Sequence, residues 1–228
     1  MSNITYRRGQ AEWALWQVFR LGSGARETMP PAFSARIKKL LDLDRDQSGV
    51  KLAIAGRAFS DADKRRSGRD AEFDSFDVFC LALALDLLDA GFQQIDAVNL
   101  IRGARDKIQA EFNRISALYP ASTRGRHLAK HHPRLPAFVE RGARIADTKV
   151  YLITRKFELA ETRPLLAKQR DALIKEPAFA RGREALQQHM MSLSPFSRSL
   201  LVVEFAHTAK LIEGFLARAP LINRARKT

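Results

Sequence analysis

The sequence predicts a mainly α-helical chain with small β content, and three observations carry that expectation. Stretches with apolar residues at helical spacing dominate, the strongest running from Asp74 to Leu118. The alternating or β-rich runs are few and short, Val50-Lys51-Leu52-Ala53-Ile54 and Val150-Tyr151-Leu152-Ile153-Thr154 being the clearest. Hydrophobic residues make up 46% of the chain and charged ones 28%, so these patterns belong to packed elements and not to a disordered polyelectrolyte. The expected organisation is a helical N-terminal domain with a basic hairpin over residues 1–102, a dimerisation helix over 103–120, a basic linker over 121–146 and a small α+β domain of unknown role over 147–228.

Element by element, the first helix is expected over Gln10 to Phe19, where Ala11, Trp13, Ala14, Leu15, Val18 and Phe19 form an apolar set around Trp16. Two tryptophans three apart read as core anchors rather than as a ligand box. Leu21 to Ala32 is a loop punctuated by Gly22, Gly24, Pro30 and Pro31. Ser34 is then the expected N-cap of a helix over Ala35 to Leu43, with Ile37, Leu40, Leu41 and Leu43 inward and Arg36, Lys38 and Lys39 projecting. From Gln47 to Asp74 two short extended pieces, each carrying one phenylalanine (Phe59 and Phe73), flank the polar loop Asp61 to Asp70. Four cations, Lys64, Arg65, Arg66 and Arg69, stand near its tip, which makes a hairpin with a basic tip, the alternative being a plain solvated loop.

The stretch from Asp74 opens with a helix apolar almost all round (Val78, Phe79, Leu81, Leu83, Leu85, Leu87, Leu88), hence buried. Ala90-Gly91-Phe92 closes it, glycine supplying a positive φ. Ile95, Val98, Leu100 and Ile101 start a short second helix, and a long one follows through Ile108, Phe112, Ile115 and Leu118, expected as an oligomerisation arm. Pro120 stops it, and the basic, Pro- and Gly-interrupted run from Ala121 to Pro136 is the expected domain boundary. Beyond it, Asp147 to Leu159 holds a β-rich run, while Pro164 to Ile174 and Ala178 to Leu193 read as helices. Ser199 to Phe205 fits either a strand or the first turns of the helix that continues over Ala206 to Leu216.

The formal charge of +14 favours a polyanionic partner, nucleic acid before an anionic membrane surface. It is unevenly placed. Residues 1–120 hold 18 Lys+Arg against 16 Asp+Glu, a net of +2; residues 121–228 hold 21 against 9, a net of +12. There is no apolar run long enough for a membrane span and no signal-like start, and Cys80 is the single cysteine, so neither a disulfide framework nor a cysteine metal cluster is expected. The expected home is the cytoplasm, in association with the nucleoid.

The order of elements resembles the winged helix-turn-helix regulators of the MerR family. Tyr6-Arg7-Arg8-Gly9-Gln10-Ala11 resembles the family's start, Arg36 stands where its recognition helix carries arginine, and Asp77-Val78 through Ala90-Gly91-Phe92-Gln93-Gln94-Ile95 resembles its helices after the wing. The likeness covers about residues 5–119. It implies a winged helix-turn-helix-like fold, double-stranded DNA as partner and a homodimer joined through a long helix. Three departures stand beside it: the long loop from Leu21 to Ala32, Ile37-Lys38-Lys39 in place of an aromatic pair, and the lack of effector-binding cysteines.

No Gly-rich phosphate loop and no nucleophile elbow occurs, so no catalytic residues, no cofactor and no metal are expected. His127, His131 and His132 sit in a basic run without a nearby carboxylate or cysteine, which favours a linker over a zinc site. His189 and His207 stand alone and read as packed or surface residues. Asp42, Asp44 and Asp46, like Asp61 and Asp63, lack the glycine and glutamate of a calcium loop and read as charge-balanced surface. The expected DNA-contacting residues are Arg8, Arg36, Lys38, Lys39, Lys64, Arg65, Arg66 and Arg69. The expected function is that of a sequence-specific, homodimeric transcriptional regulator, not an enzyme, with an effector not identified by sequence. The alternative is a non-catalytic architectural or adaptor protein that binds nucleic acid through its basic C-terminal half.

Overall fold

The computed structural model describes residues 4–21, 23, 27–45, 56–59, 72–118, 149–154, 177–192 and 200–220. The expected strand Val50–Ile54, the cations Lys64, Arg65, Arg66 and Arg69, the three linker histidines, the helix over 164–174 and the basic tail lie outside them. The described elements are mainly helical with two small sheets. None of their helices is long and apolar enough to cross a membrane.

Strand β1 (Tyr6–Arg7) leads into α1 (Arg8–Phe19), and the Gln10 side chain secures the start by accepting the Arg7 N–H at 3.0 Å. Ala11, Ala14 and Leu15 are its buried face. Its tryptophans pack: Trp13 meets Phe215 edge-on at 6.1 Å, and Trp16 meets Phe33 at 5.2 Å while its indole N–H donates to the Glu27 carbonyl. Helix α2 runs over Pro31–Arg45, so it starts one turn earlier than expected. Proline at the first helical position loses no hydrogen bond and has the right φ already, which makes Pro31 the start signal. Ser34 is therefore not the cap. Its hydroxyl donates to Glu12 across the α1–α2 contact at 2.8 Å.

Strand β2 (Glu72–Phe73) pairs antiparallel with β1, Tyr6 opposite Phe73 and Arg7 opposite Glu72. Residues 72–73, which follow the basic stretch in sequence, thus lie directly beside the start of α1. Helix α3 (Ser75–Asp89) is capped by Asp74, whose carboxylate accepts the Asp77 N–H at 2.8 Å, while Asp77 accepts the Asp74 N–H at 3.2 Å. Every residue from Phe76 to Leu85 is buried, as its all-round apolar pattern requires. Gly91 at φ 85° ends it: the Phe92 N–H reaches the Leu87 carbonyl and the Gly91 N–H the Leu88 carbonyl, both at 2.9 Å.

Helix α4 then runs unbroken over Gln94–Leu118, where a short and a long helix were expected. Nothing at Gly103 breaks it, because tertiary packing on both sides outweighs the roughly 1 kcal/mol propensity deficit of one glycine. Its apolar stripe, Ala104, Ile108, Phe112 and Ile115, is buried inside this chain against α3 and the last helix.

After residue 148 the chain returns to the same core. Strand β3 (Val150–Thr154) is the centre of a three-stranded antiparallel sheet, flanked by β4 (Ala178–Arg181) and β5 (Leu201–Glu204), with Leu152 opposite both Phe179 and Val203. Ala178–Arg181 was expected as helix. Pairing with the buried central strand overrides that local propensity, and Gly182 at φ 82° makes the turn into α5 (Gly182–Met191). The ambiguous run before Ala206 is a strand, and α6 (Ala206–Leu216) follows it, the Glu204 carboxylate accepting the His207 N–H at 2.8 Å.

A domain boundary was expected before residue 147; across it, α6 packs on α1, α3 and α4, and one apolar cluster of described residues spans Ala11 to Leu216. An unbroken line of ring contacts crosses it: Phe76 to Phe112 at 5.5 Å, Phe112 to Phe79 at 5.1 Å, Phe79 to Phe205 at 4.5 Å and Phe205 to Phe179 at 5.8 Å.

Candidate nucleic-acid interface

Most described arginines are committed to internal partners. Arg8 binds Glu12 through Nε and the Ser34 carbonyl through Nη2 at 3.4 Å, which makes it a tie between α1 and α2 rather than an outward contact. Arg102 donates to the Asp44 carboxylate at 2.9 Å. Arg105 donates to Asp77 at 2.7 Å and to the Ala58 carbonyl. Arg114 and Arg181 both hold Glu111, which keeps that carboxyl below its usual range despite its burial.

Arg36, Lys38 and Lys39 are different. All three are exposed on α2, and none has a hydrogen-bond or ion-pair partner among the described residues. Helix geometry splits them. At about 100° per residue, Arg36 and Lys39 lie some 60° apart on one flank, and Lys38 lies about 100° or more away on the other. The buried stripe Ile37, Leu40, Leu41 and Asp44 runs between the flanks on the inner side.

The Arg36–Lys39 flank faces an open groove of about 630 Å³ between α2 and the α3–α4 corner. Leu43, Leu88, Phe92 and Ile95 line it together with the polar residues Asp89, Gln93 and Gln94. One turn back, the Asp86 carboxyl is pushed up to about 7, first by burial and then by the charge of Asp89.

The described segments on either side of the basic stretch 60–71 are anchored, the first to α2 and the second to β1. At the entry, Asp44 near the end of α2 accepts the Ala58 N–H at 2.8 Å and the Phe59 N–H at 3.2 Å, with Arg102 completing the buried set. Asp44 is 1% exposed, so it is a structural clamp and not the surface carboxylate expected from its spacing with Asp42. Arg57 and Arg102 also donate to the Asp44 carbonyl, satisfying the helix end that the acids at 42 and 44 leave electrostatically unfavourable. At the exit, Glu72–Phe73 is fixed by β1. A second clamp ties the entry to α3 and α4 through Ala58, Arg105 and Asp77. The Asp77 carboxyl is raised to about 6, because burial and the neighbouring Asp74 outweigh Arg105.

Sequence reasoning found the α2 cations and missed the clamps. Asp44 with Arg102, and Asp77 with Arg105, lie 58 and 28 residues apart, and no local spacing links them. The 100° rule places the three projecting cations on two flanks and not on one face. No family model, curated protein or solved structure matches this chain.

Proposed function

We propose that the protein is a double-stranded DNA-binding transcriptional regulator of MerR-like, winged helix-turn-helix organisation, acting as a homodimer. The observation that carries this reading is the set of three exposed, unpartnered cations on α2, a helix whose inner side is buried, together with four more cations in the sequence between the anchored segments 56–59 and 72–73. Exposed cations on a half-buried helix can enter a major groove, and further cations nearby in sequence can meet phosphates. Because the apolar stripe of α4 is covered within the chain, a partner protomer must use its outer face, where exposed Gly103, Ala110 and Ala117 recur every seven residues.

The test is binding of the full chain to random duplex and to genomic fragments over a salt series, for wild type and for the Arg36→Ala, Lys38→Ala, Lys39→Ala triple variant. Three lost phosphate contacts would reduce the salt slope by about three units. Unchanged slope and affinity would remove α2 from the interface, and absence of duplex binding by the wild type would overturn the reading. The second reading, an architectural protein acting through its C-terminal half, is favoured by the net +12 of residues 121–228. It expects the triple variant to bind as the wild type does.

A further inference from the structure

We propose that the groove between α2 and the α3–α4 corner is a binding site for a small amphipathic monoanion, an organic carboxylate with an apolar body. At about 630 Å³ the groove falls within the size range of small-molecule sites and is far larger than one phosphate requires. Its wall is apolar through Leu43, Leu88, Phe92 and Ile95, which suits a hydrocarbon or aryl body. Arg36 and Lys39 stand at its edge with no partner among the described residues, so a carboxylate arriving there displaces no existing ion pair. Asp89 shares the rim and brings the local balance of these three groups to +1, matching one negative charge better than two. Gln94 also lines the groove, and its amide is of the type that donates to a second carboxylate oxygen.

Occupancy has a consequence that rests on the DNA reading. A carboxylate on Arg36 and Lys39 withdraws two of the three α2 cations from phosphate contact and leaves Lys38 on the far flank. The ligand is then an inducer that releases DNA by competition at the recognition helix itself, through differential affinity for the free protein.

The experiment is isothermal titration of the full chain with sodium octanoate, with sodium acetate (charge without body) and octyltrimethylammonium (body without the negative charge) as controls. Saturable one-to-one binding of octanoate alone is expected, weakened at least tenfold in the Arg36→Ala, Lys39→Ala double variant and again in Ile95→Asp. The thermal midpoint by circular dichroism reports whether Ile95→Asp folds, and the double variant changes only exposed residues, so it decides the matter if Ile95→Asp does not. No saturable binding, or equal affinity in the double variant, overturns the site. A competition arm adds saturating octanoate to the wild-type complex with duplex DNA. Release supports the regulatory step, and indifference overturns that step while the site stands on the titration. If the wild type binds no duplex at all, the functional reading and the regulatory step fall together, and the titration still decides the site.

Discussion

Removing everything after residue 120 tests whether the N-terminal elements fold by themselves, and the packing says they do not. Phe205, Ile212, Phe215 and Leu216 are each at most 5% exposed, and they cover α1, α3 and α4. Burying one such side chain contributes about 1.5–3 kcal/mol, so four contribute roughly 6–12 kcal/mol before the three-stranded sheet is considered. A domain of this size is stable by only about 5–15 kcal/mol in total, so the loss is of the order of the whole stability. Fragment 1–120 is therefore expected to show partial helicity by circular dichroism, no cooperative urea transition and strong binding of a hydrophobic dye. In the intact chain, Ile212→Ala is expected to cost about 2–5 kcal/mol, lowering the thermal midpoint by roughly 4–20 °C. A fragment that unfolds cooperatively with a midpoint near that of the full chain would refute the single shared core.

Three further outcomes follow from the clamps, the helix end and the buried acids. Asp44→Ala takes the carboxylate from Arg102, which keeps only the Asp44 carbonyl, and leaves the Ala58 and Phe59 N–H groups buried without partners, so it should destabilise by about 3–5 kcal/mol while making residues 60–71 a faster trypsin target; an unchanged digestion rate would count against anchoring by Asp44. Gly91→Ala places a side chain at φ 85° and should cost about 1–2 kcal/mol in urea titrations, with the fold intact. Asp86, raised to about 7, binds its proton more readily in the folded state than in the unfolded one, so its contribution to stability is largest below about pH 4 and is lost as pH rises toward and through 7. Asp86→Asn should therefore raise the thermal midpoint at pH 8 and change it little at pH 4, and an equal shift at both would refute the assignment.

What the sequence determined by itself is what depends on nearest neighbours along the chain. The all-round apolar pattern of α3 demands burial. The Ala90-Gly91-Phe92 corner follows from glycine's tolerance of positive φ, and the β-rich run at Val150 is legible because branched residues crowd a helix. The α2 cations could be read as outward because Ile37, Leu40 and Leu41 mark the opposite side. The tertiary structure decided what depends on contacts between distant segments. Ala178–Arg181 has no local reason to be a strand until β3 lies beside it. Asp44 is indistinguishable from Asp42 by composition, yet one is buried against Arg102 and the other is exposed beside Arg45. The apolar stripe of α4 has the same sequence whether it faces a second protomer or α6. Periodicity reveals that a face must be covered, and only long-range packing selects what covers it.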